Sequence, residues 1–124
     1  MALLDPKNVL LLISIKDGVP YFLLTKSNML PEISKDKPVD ELLIKYKLQG
    51  KIIKRIAETK YNATISTGIR LHYTMYVYLG TAFYKDVENC TWNRLDQIVK
   101  VFAKQVELIQ VVIKGYLLFI NLNL

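Results

Sequence analysis

The sequence predicts an α+β fold, a mixed or antiparallel sheet packed with two helices in the order β-hairpin, helix, strands, helix, strand. Two apolar runs, residues 9–15 and 19–25, flank Asp17-Gly18. Asp-Gly between such runs is typical of a hairpin, because a two-residue primed turn needs positive φ at both central residues. The length of 124 residues suits a single globular domain, residues 1–124, with a sizeable core.

A strict alternation of side chains in residues 69–79 is the second observation behind the fold class. The apolar half of the pattern consists of Ile69, Leu71, Tyr73, Met75, Val77 and Leu79. Successive side chains of a strand point to opposite faces, so the pattern predicts a strand with one apolar face. We expect strands over about 62–67 and 69–84, with a turn at Thr67-Gly68.

Residues 39–59 are predicted to form a helix, because apolar or small residues recur there at helical spacing. This stripe consists of Leu42, Leu43, Tyr46, Gly50, Ile53, Ile56 and Ala57. The opposite stripe is charged and consists of Lys47, Lys51, Lys54, Arg55 and Glu58. Ile44, Leu48 and Ile52 fall beside the charged stripe and widen the apolar arc. We therefore expect these three residues to be covered by another element or to bind a protein partner.

A second helix is predicted to begin after Asn93, a good N-cap residue, and to end at Lys114-Gly115. Residues 116–122 would then form a last, buried strand. The β-branched residues 111–113 favour an alternative, in which 106–113 and 116–122 form a hairpin around Lys114-Gly115. The sequence leaves both possibilities open.

Composition limits the possible chemistry. The chain has one histidine, His72, and one cysteine, Cys90, which excludes a zinc site of the usual His/Cys kind and an internal disulfide. No Gly-rich phosphate loop is present, so we expect no cofactor and no metal. A single cysteine fits the cytoplasm or another reducing intracellular compartment. No apolar run reaches the roughly 18 residues of a membrane-spanning helix, so we expect no membrane insertion.

Positive charge is concentrated in one segment. The chain carries 17 Lys and Arg against 11 Asp and Glu, a net charge of +6. The surplus lies around the predicted helix, and we expect Lys47, Lys51, Lys54 and Arg55 to contact nucleic-acid phosphates. The polar side of the alternating strand adds Arg70, His72, Tyr76 and Tyr78, a cationic and aromatic row that suits the stacking of unpaired bases. The alternative is that a helix or a partner covers this row.

Several features in this order resemble a Nudix domain. They are the strand pair of residues 9–24, then Leu30-Pro31, then Glu58 near the end of the predicted helix, and Trp92 before a second helix. The Nudix box reads Gly, five residues, Glu, seven residues, then Arg-Glu-apolar-X-Glu-Glu-X-Gly. In the best register, residues 54–61, only Ile56 and Glu58 fit. The resemblance implies a degenerate Nudix-like domain without the glutamates that gather magnesium for pyrophosphate hydrolysis.

These observations predict a non-catalytic, basic binding domain. Nucleic acid is the expected partner, single-stranded or structured RNA more than DNA, within a ribonucleoprotein or another complex with further protein subunits. One alternative is a protein–protein interaction scaffold, because longin and roadblock domains are similar in their order of hairpin, helix, strands and helix. A divergent nucleoside-diphosphate-type hydrolase is the third possibility.

Overall fold

The computed structural model describes residues 2–3, 5–64 and 66–122 of the chain. These residues form seven strands and three helices. The elements are β1 (Ala2–Leu3), β2 (Lys7–Lys16), β3 (Val19–Thr25), β4 (Glu32–Ile33), α1 (Glu41–Lys45), β5 (Gly50–Thr64), β6 (Arg70–Ala82), β7 (Cys90–Asn93), α2 (Leu95–Val101) and α3 (Val106–Leu122). The predicted α+β class is confirmed.

The strands form one mixed sheet. β5 lies beside β6, β6 beside β2, β2 beside β3 and β3 beside β7, while β1 pairs with β6 and β4 with β2. The pairing of β6 with β2 and with β1 is parallel, and the other pairings are antiparallel. The predicted hairpin joins β2 to β3, with φ of 53° at Asp17 and 79° at Gly18, as a primed turn requires.

Apolar side chains cover both faces of the sheet. On one face, which we call the α3 side, strand residues pack against α2 and α3, and fully buried members include Leu11, Phe22, Val77, Ile98 and Val112. On the other face, the α1 side, a smaller core is formed by Leu10, Leu12, Leu23, Ile33, Leu42, Leu43, Leu48, Ala82 and Val87. β2 contributes leucines to both faces, which explains its uninterrupted apolar sequence.

The prediction of a long helix over 39–59 is wrong. α1 ends at Lys45, Lys47 turns the chain in the left-handed region with φ of 55°, and β5 begins at Gly50. β5 contains two bulges, one between Ile52 and Lys54 and one between Arg55 and Ala57.

Each bulge explains part of the error, because it adds one residue to β5 opposite a continuous β6. Ile53 and Ile56 are the added residues, and both pack into the core on the α3 side. Core-facing residues are therefore three apart along this part of the strand, rather than two. The resulting pattern imitates the period of a helix.

The C-terminal prediction is also wrong in both of its forms. Residues 106–122 form one helix, α3, that continues through Lys114-Gly115, so neither the final strand nor the alternative hairpin exists. The predicted single helix from Asn93 is divided into α2 and α3. Gly115 is needed for close approach and not as a helix end, because a Cβ atom there would collide with the Leu11 side chain and meet Ile56 at 3.0 Å.

Replacement of Gly115 by valine should destabilise the fold. The added side chain would overpack the contact of α3 with Leu11 and Ile56, at a cost of about 1–3 kcal/mol in the free energy of unfolding. Gln110→Ala, on the exposed side of the same helix, should change it by less than about 0.5 kcal/mol. Urea titration of both variants measures the difference. Equal stability of Gly115→Val and the natural protein would contradict the packing of α3 described here.

Candidate nucleic-acid interface

Alternation in β6 separates its side chains between the two faces of the sheet. Met75, Val77 and Leu79 are at most 1% exposed in the core on the α3 side, as the apolar pattern predicts. The residues between them point to the α1 side. Tyr78 packs there against the core that α1 covers. For Tyr78, this agrees with the alternative that a helix covers the polar side of the strand.

The α1 side of the sheet extends from Tyr78 towards the start of β6, beyond the residues that α1 covers. Cross-strand neighbours in an antiparallel pair point to one face. Glu58 lies opposite Tyr76, Lys60 opposite Thr74 and Asn62 opposite His72. We call this surface the open face, and it consists of Arg55, Glu58, Lys60 and Asn62 from β5 with Arg70, His72, Thr74 and Tyr76 from β6.

A cation and an aromatic ring meet on the open face. The guanidinium carbon of Arg55 lies 4.9 Å from the centroid of the Tyr76 ring. At a site as exposed as Arg55, such a cation–π contact contributes about 0.5–1 kcal/mol. It holds the guanidinium beside the ring and leaves its remaining N–H donors available. Arg55 and Tyr76, far apart in sequence, thus act as one cationic and aromatic unit.

His72 contributes a partly buried ring to the open face. Its Nε2 atom is buried and makes no hydrogen bond within the described part of the chain, so a ligand on the open face would meet the accessible part of the ring and not this atom. Arg70, two residues before it, is exposed at the end of the open face.

Most of the other predicted site residues line a groove that is separate from the open face. Lys47 and Lys51 line a groove of about 670 Å³ between α1 and the start of β5, together with Ile44, Leu48 and Ile52. We call this cavity the α1–β5 groove. Two of the four predicted cations are therefore neighbours of the predicted apolar set, in a groove and not on two sides of one helix.

Coverage of the predicted apolar set is uneven. Leu48 is buried and Ile52 is partly buried, whereas Ile44 is 73% exposed. Leu48 and Ile52 are therefore covered at least in part by other elements of the chain, and for Ile44 the expected contact with a protein partner stays a prediction. Lys54 of β5, which lies opposite Leu79 of β6, is exposed.

Four members of the open face are not among the predicted binding residues. Glu58 and Lys60 belong to the charged segment of the sequence, and Asn62 and Thr74 carry no signal of their own. Their positions follow from the register of β5 with β6. Recognition that 50–64 and 70–82 form one long hairpin would have identified them.

Burial, with the neighbouring Cys90 and Glu41, raises the pKa of Tyr46 at the end of α1 well above its usual value, so this hydroxyl stays neutral. In the described residues, no three His, Cys, Asp or Glu side chains are grouped as they are in a metal site. None of the helices in those residues has the length and apolar character that crossing a bilayer requires.

The fold is similar to solved Nudix structures. Caenorhabditis elegans Ap4A hydrolase superposes with a TM-score of 0.63 at 14% identity, covering 92% of this chain and 97% of the hydrolase. The Nudix domain of Shewanella oneidensis NrtR with ADP-ribose gives 0.54 at 16% identity, covering 86% and 84%. NrtR with a 27mer DNA gives 0.52 at 17% identity, covering 86% of this chain and 59% of NrtR.

Sequence comparison adds no further relative, since no protein-family model matches the chain and no curated protein matches it. The structural similarity confirms the Nudix-like fold. It does so at identities too low to transfer an activity.

The structure also changes the register of the box. Residues 54–61 lie in β5, so they cannot supply its helix. The helix that is present, α1, places Asp40-Glu41-Leu42-Leu43-Ile44-Lys45-Tyr46-Lys47 on Arg-Glu-apolar-X-Glu-Glu-X-Gly. Glu41 and Leu42 match, and the upstream Glu of the box falls on Glu32, eight residues before Asp40. Lys47 has the positive φ that glycine favours. Ile44 and Lys45 stand where the pattern has its glutamate pair.

Proposed function

We propose that this chain is a non-catalytic Nudix-like domain that binds single-stranded nucleic acid on the open face. The observation that carries the proposal is the contact of Arg55 with Tyr76 on a part of the sheet that lies beyond α1. Base-stacking modules use the same combination, in which aromatic rings hold bases and cations hold the phosphates.

Spacing along β5 suits a strand of several nucleotides. Arg55 lies opposite Tyr78 and Lys60 opposite Thr74, four residues apart on the continuous β6, which is a distance of roughly 13 Å. Arg70 extends the row of cations beyond Lys60, since it lies opposite Thr64 in the ladder. A nucleic-acid strand that follows β5 would meet these three cations along its path, with Glu58 between Arg55 and Lys60.

The polar groups of the open face favour RNA over DNA. The Asn62 and Thr74 side chains of the open face both donate and accept hydrogen bonds. The ribose 2′-hydroxyl is also both a donor and an acceptor, and it is the group by which proteins distinguish RNA from DNA. NrtR, a part of which is similar to this chain, is complexed with a 27mer DNA, and this supports nucleic acid as a partner.

The residues of α1 support the non-catalytic part of the proposal. Nudix hydrolysis relies on glutamates that gather magnesium. In the register of α1, an isoleucine and a lysine take the place of the glutamate pair, and the Glu41 carboxylate accepts hydrogen bonds from Ser34. We further propose that the domain works in a reducing intracellular compartment, with other protein subunits beside the nucleic acid.

Binding to oligouridylate should weaken steeply as salt rises. Each phosphate contact contributes about 0.7 to the log–log slope for a single strand, so Arg55→Gln with Lys60→Gln should reduce the slope by about 1.4. Lys100→Gln with Lys104→Gln removes the same charge from exposed positions in and after α2 and should leave the slope unchanged. Fluorescence anisotropy at several salt concentrations provides both slopes. If no oligonucleotide binds at low salt, or if both double variants lose the same slope, the proposal is wrong.

Loss of the Tyr76 ring should lower the affinity without changing the salt dependence of binding. Tyr76→Ala should weaken oligouridylate binding by about 1–3 kcal/mol with a nearly unchanged salt slope, because stacking releases no counterions. Tyr76→Phe keeps the ring and should bind like the natural protein. The same anisotropy titration distinguishes the two variants. Equal losses for both would show that the ring does not stack on a base.

Magnesium-dependent hydrolysis of ADP-ribose and of Ap4A should be absent. Formation of AMP, separated from the substrate by chromatography, is the measurement, because cleavage of either pyrophosphate bond yields this nucleotide and no inorganic phosphate. C. elegans Ap4A hydrolase is the positive control for Ap4A. Turnover that disappears on Glu41→Gln or on Glu58→Gln would contradict the non-catalytic proposal and favour a divergent hydrolase.

A further inference from the structure

The α1–β5 groove differs in chemistry from the open face. Its side walls are aliphatic, with Val39, Ile44 and Leu48 on the α1 side and Ile52 on β5. No aromatic side chain lines it, although the open face beside it has Tyr76 and His72. Bases bind to proteins largely by stacking on rings, so the groove lacks what a nucleic-acid strand would need.

Ile44 is the most unusual residue of the groove. It is 73% exposed in the middle of α1, while Leu42 and Leu43 of the same helix are buried. A large aliphatic side chain held open beside other aliphatic groups favours an apolar side chain of a partner.

The charges around the groove determine which charge a partner should carry. Lys47 and Lys51 line it and are exposed, and Asp40 is the lining residue of opposite charge. A partner with carboxylates would gain from both lysines, whereas a basic partner would be repelled.

The backbone of β5 determines the shape of the partner. Among the described strands, β5 pairs only with β6, so half of its N–H and C=O groups face away from the sheet. An extended peptide beside such an edge can pair with the backbone while its alternate side chains enter the groove.

We propose that the α1–β5 groove binds an extended acidic peptide segment of a partner protein. Aliphatic side chains of the segment lie against Ile44 and Ile52, and its carboxylates pair with Lys47 and Lys51. This site is separate from the open face, and the inference does not depend on nucleic-acid binding.

The experiment uses the full chain labelled at isoleucine methyl groups and an acetylated nonapeptide that alternates Glu and Leu. The peptide should shift the methyl resonances of Ile44 and Ile52. The methyl resonances of Ile69 and Ile113, which are exposed elsewhere, should stay unchanged. A peptide with Lys in place of Glu, and one with Ser in place of Leu, should each bind about tenfold more weakly or worse.

Paired variants locate the site independently of folding. Ile44→Glu should weaken the acidic peptide by about tenfold or more, because it places an anion in the groove at an exposed position. Val106→Glu makes the same change at a residue 60% exposed on α3, and should alter affinity by less than about twofold.

Two results would overturn the inference. One is the absence of shifts at Ile44 and Ile52 at millimolar peptide. The other is displacement of the peptide by oligouridylate together with an equal loss of oligouridylate affinity in Ile44→Glu, which would assign the groove to the nucleic-acid path.

Discussion

The burial of Ile53 and Ile56 against α3 is the contact on which the arrangement of this molecule depends. Both isoleucines are bulged residues of β5, and a regular strand would send one of them to the opposite face of the sheet. The bulges let both reach the same core. They also restore the alternation on either side, so that Ile52, Arg55 and Glu58 all point to the α1 side. The groove and the open face both follow from this local geometry.

α3 holds the bulged segment in place through three kinds of contact. Lys114 Nζ donates a hydrogen bond of 2.7 Å to the Ile56 carbonyl, which the bulge would otherwise leave at the edge of the sheet. The Thr59 hydroxyl donates one of 3.3 Å to Glu107. Gly115 allows the helix to approach Leu11 and Ile56 closely. The helix on one side of the sheet therefore fixes the positions of the cations on the other side.

Local signals in the sequence predict only part of this structure. The Asp17-Gly18 turn and the alternation of β6 depend on neighbouring residues alone, and both are confirmed. The bulges of β5 imitate a helical period, and Lys114-Gly115 imitates a helix end. Their true roles depend on Leu11 and Ile56, which are distant in sequence. Tyr76 was identified as a site residue, but its neighbour Arg55 was assigned to a helix, since no local signal reports cross-strand register.

The most direct test of the central claim is an amide NMR titration of the full chain with oligouridylate at low salt. If Arg55 and Tyr76 form the centre of a nucleic-acid interface, the shifted amides should lie in residues 55–60 of β5 and 70–76 of β6. The imidazole resonances of His72 should shift as well. The amides of α3, on the other side of the sheet, should keep their positions. Shifts confined to α3, or no shifts at saturating oligouridylate, would contradict the account.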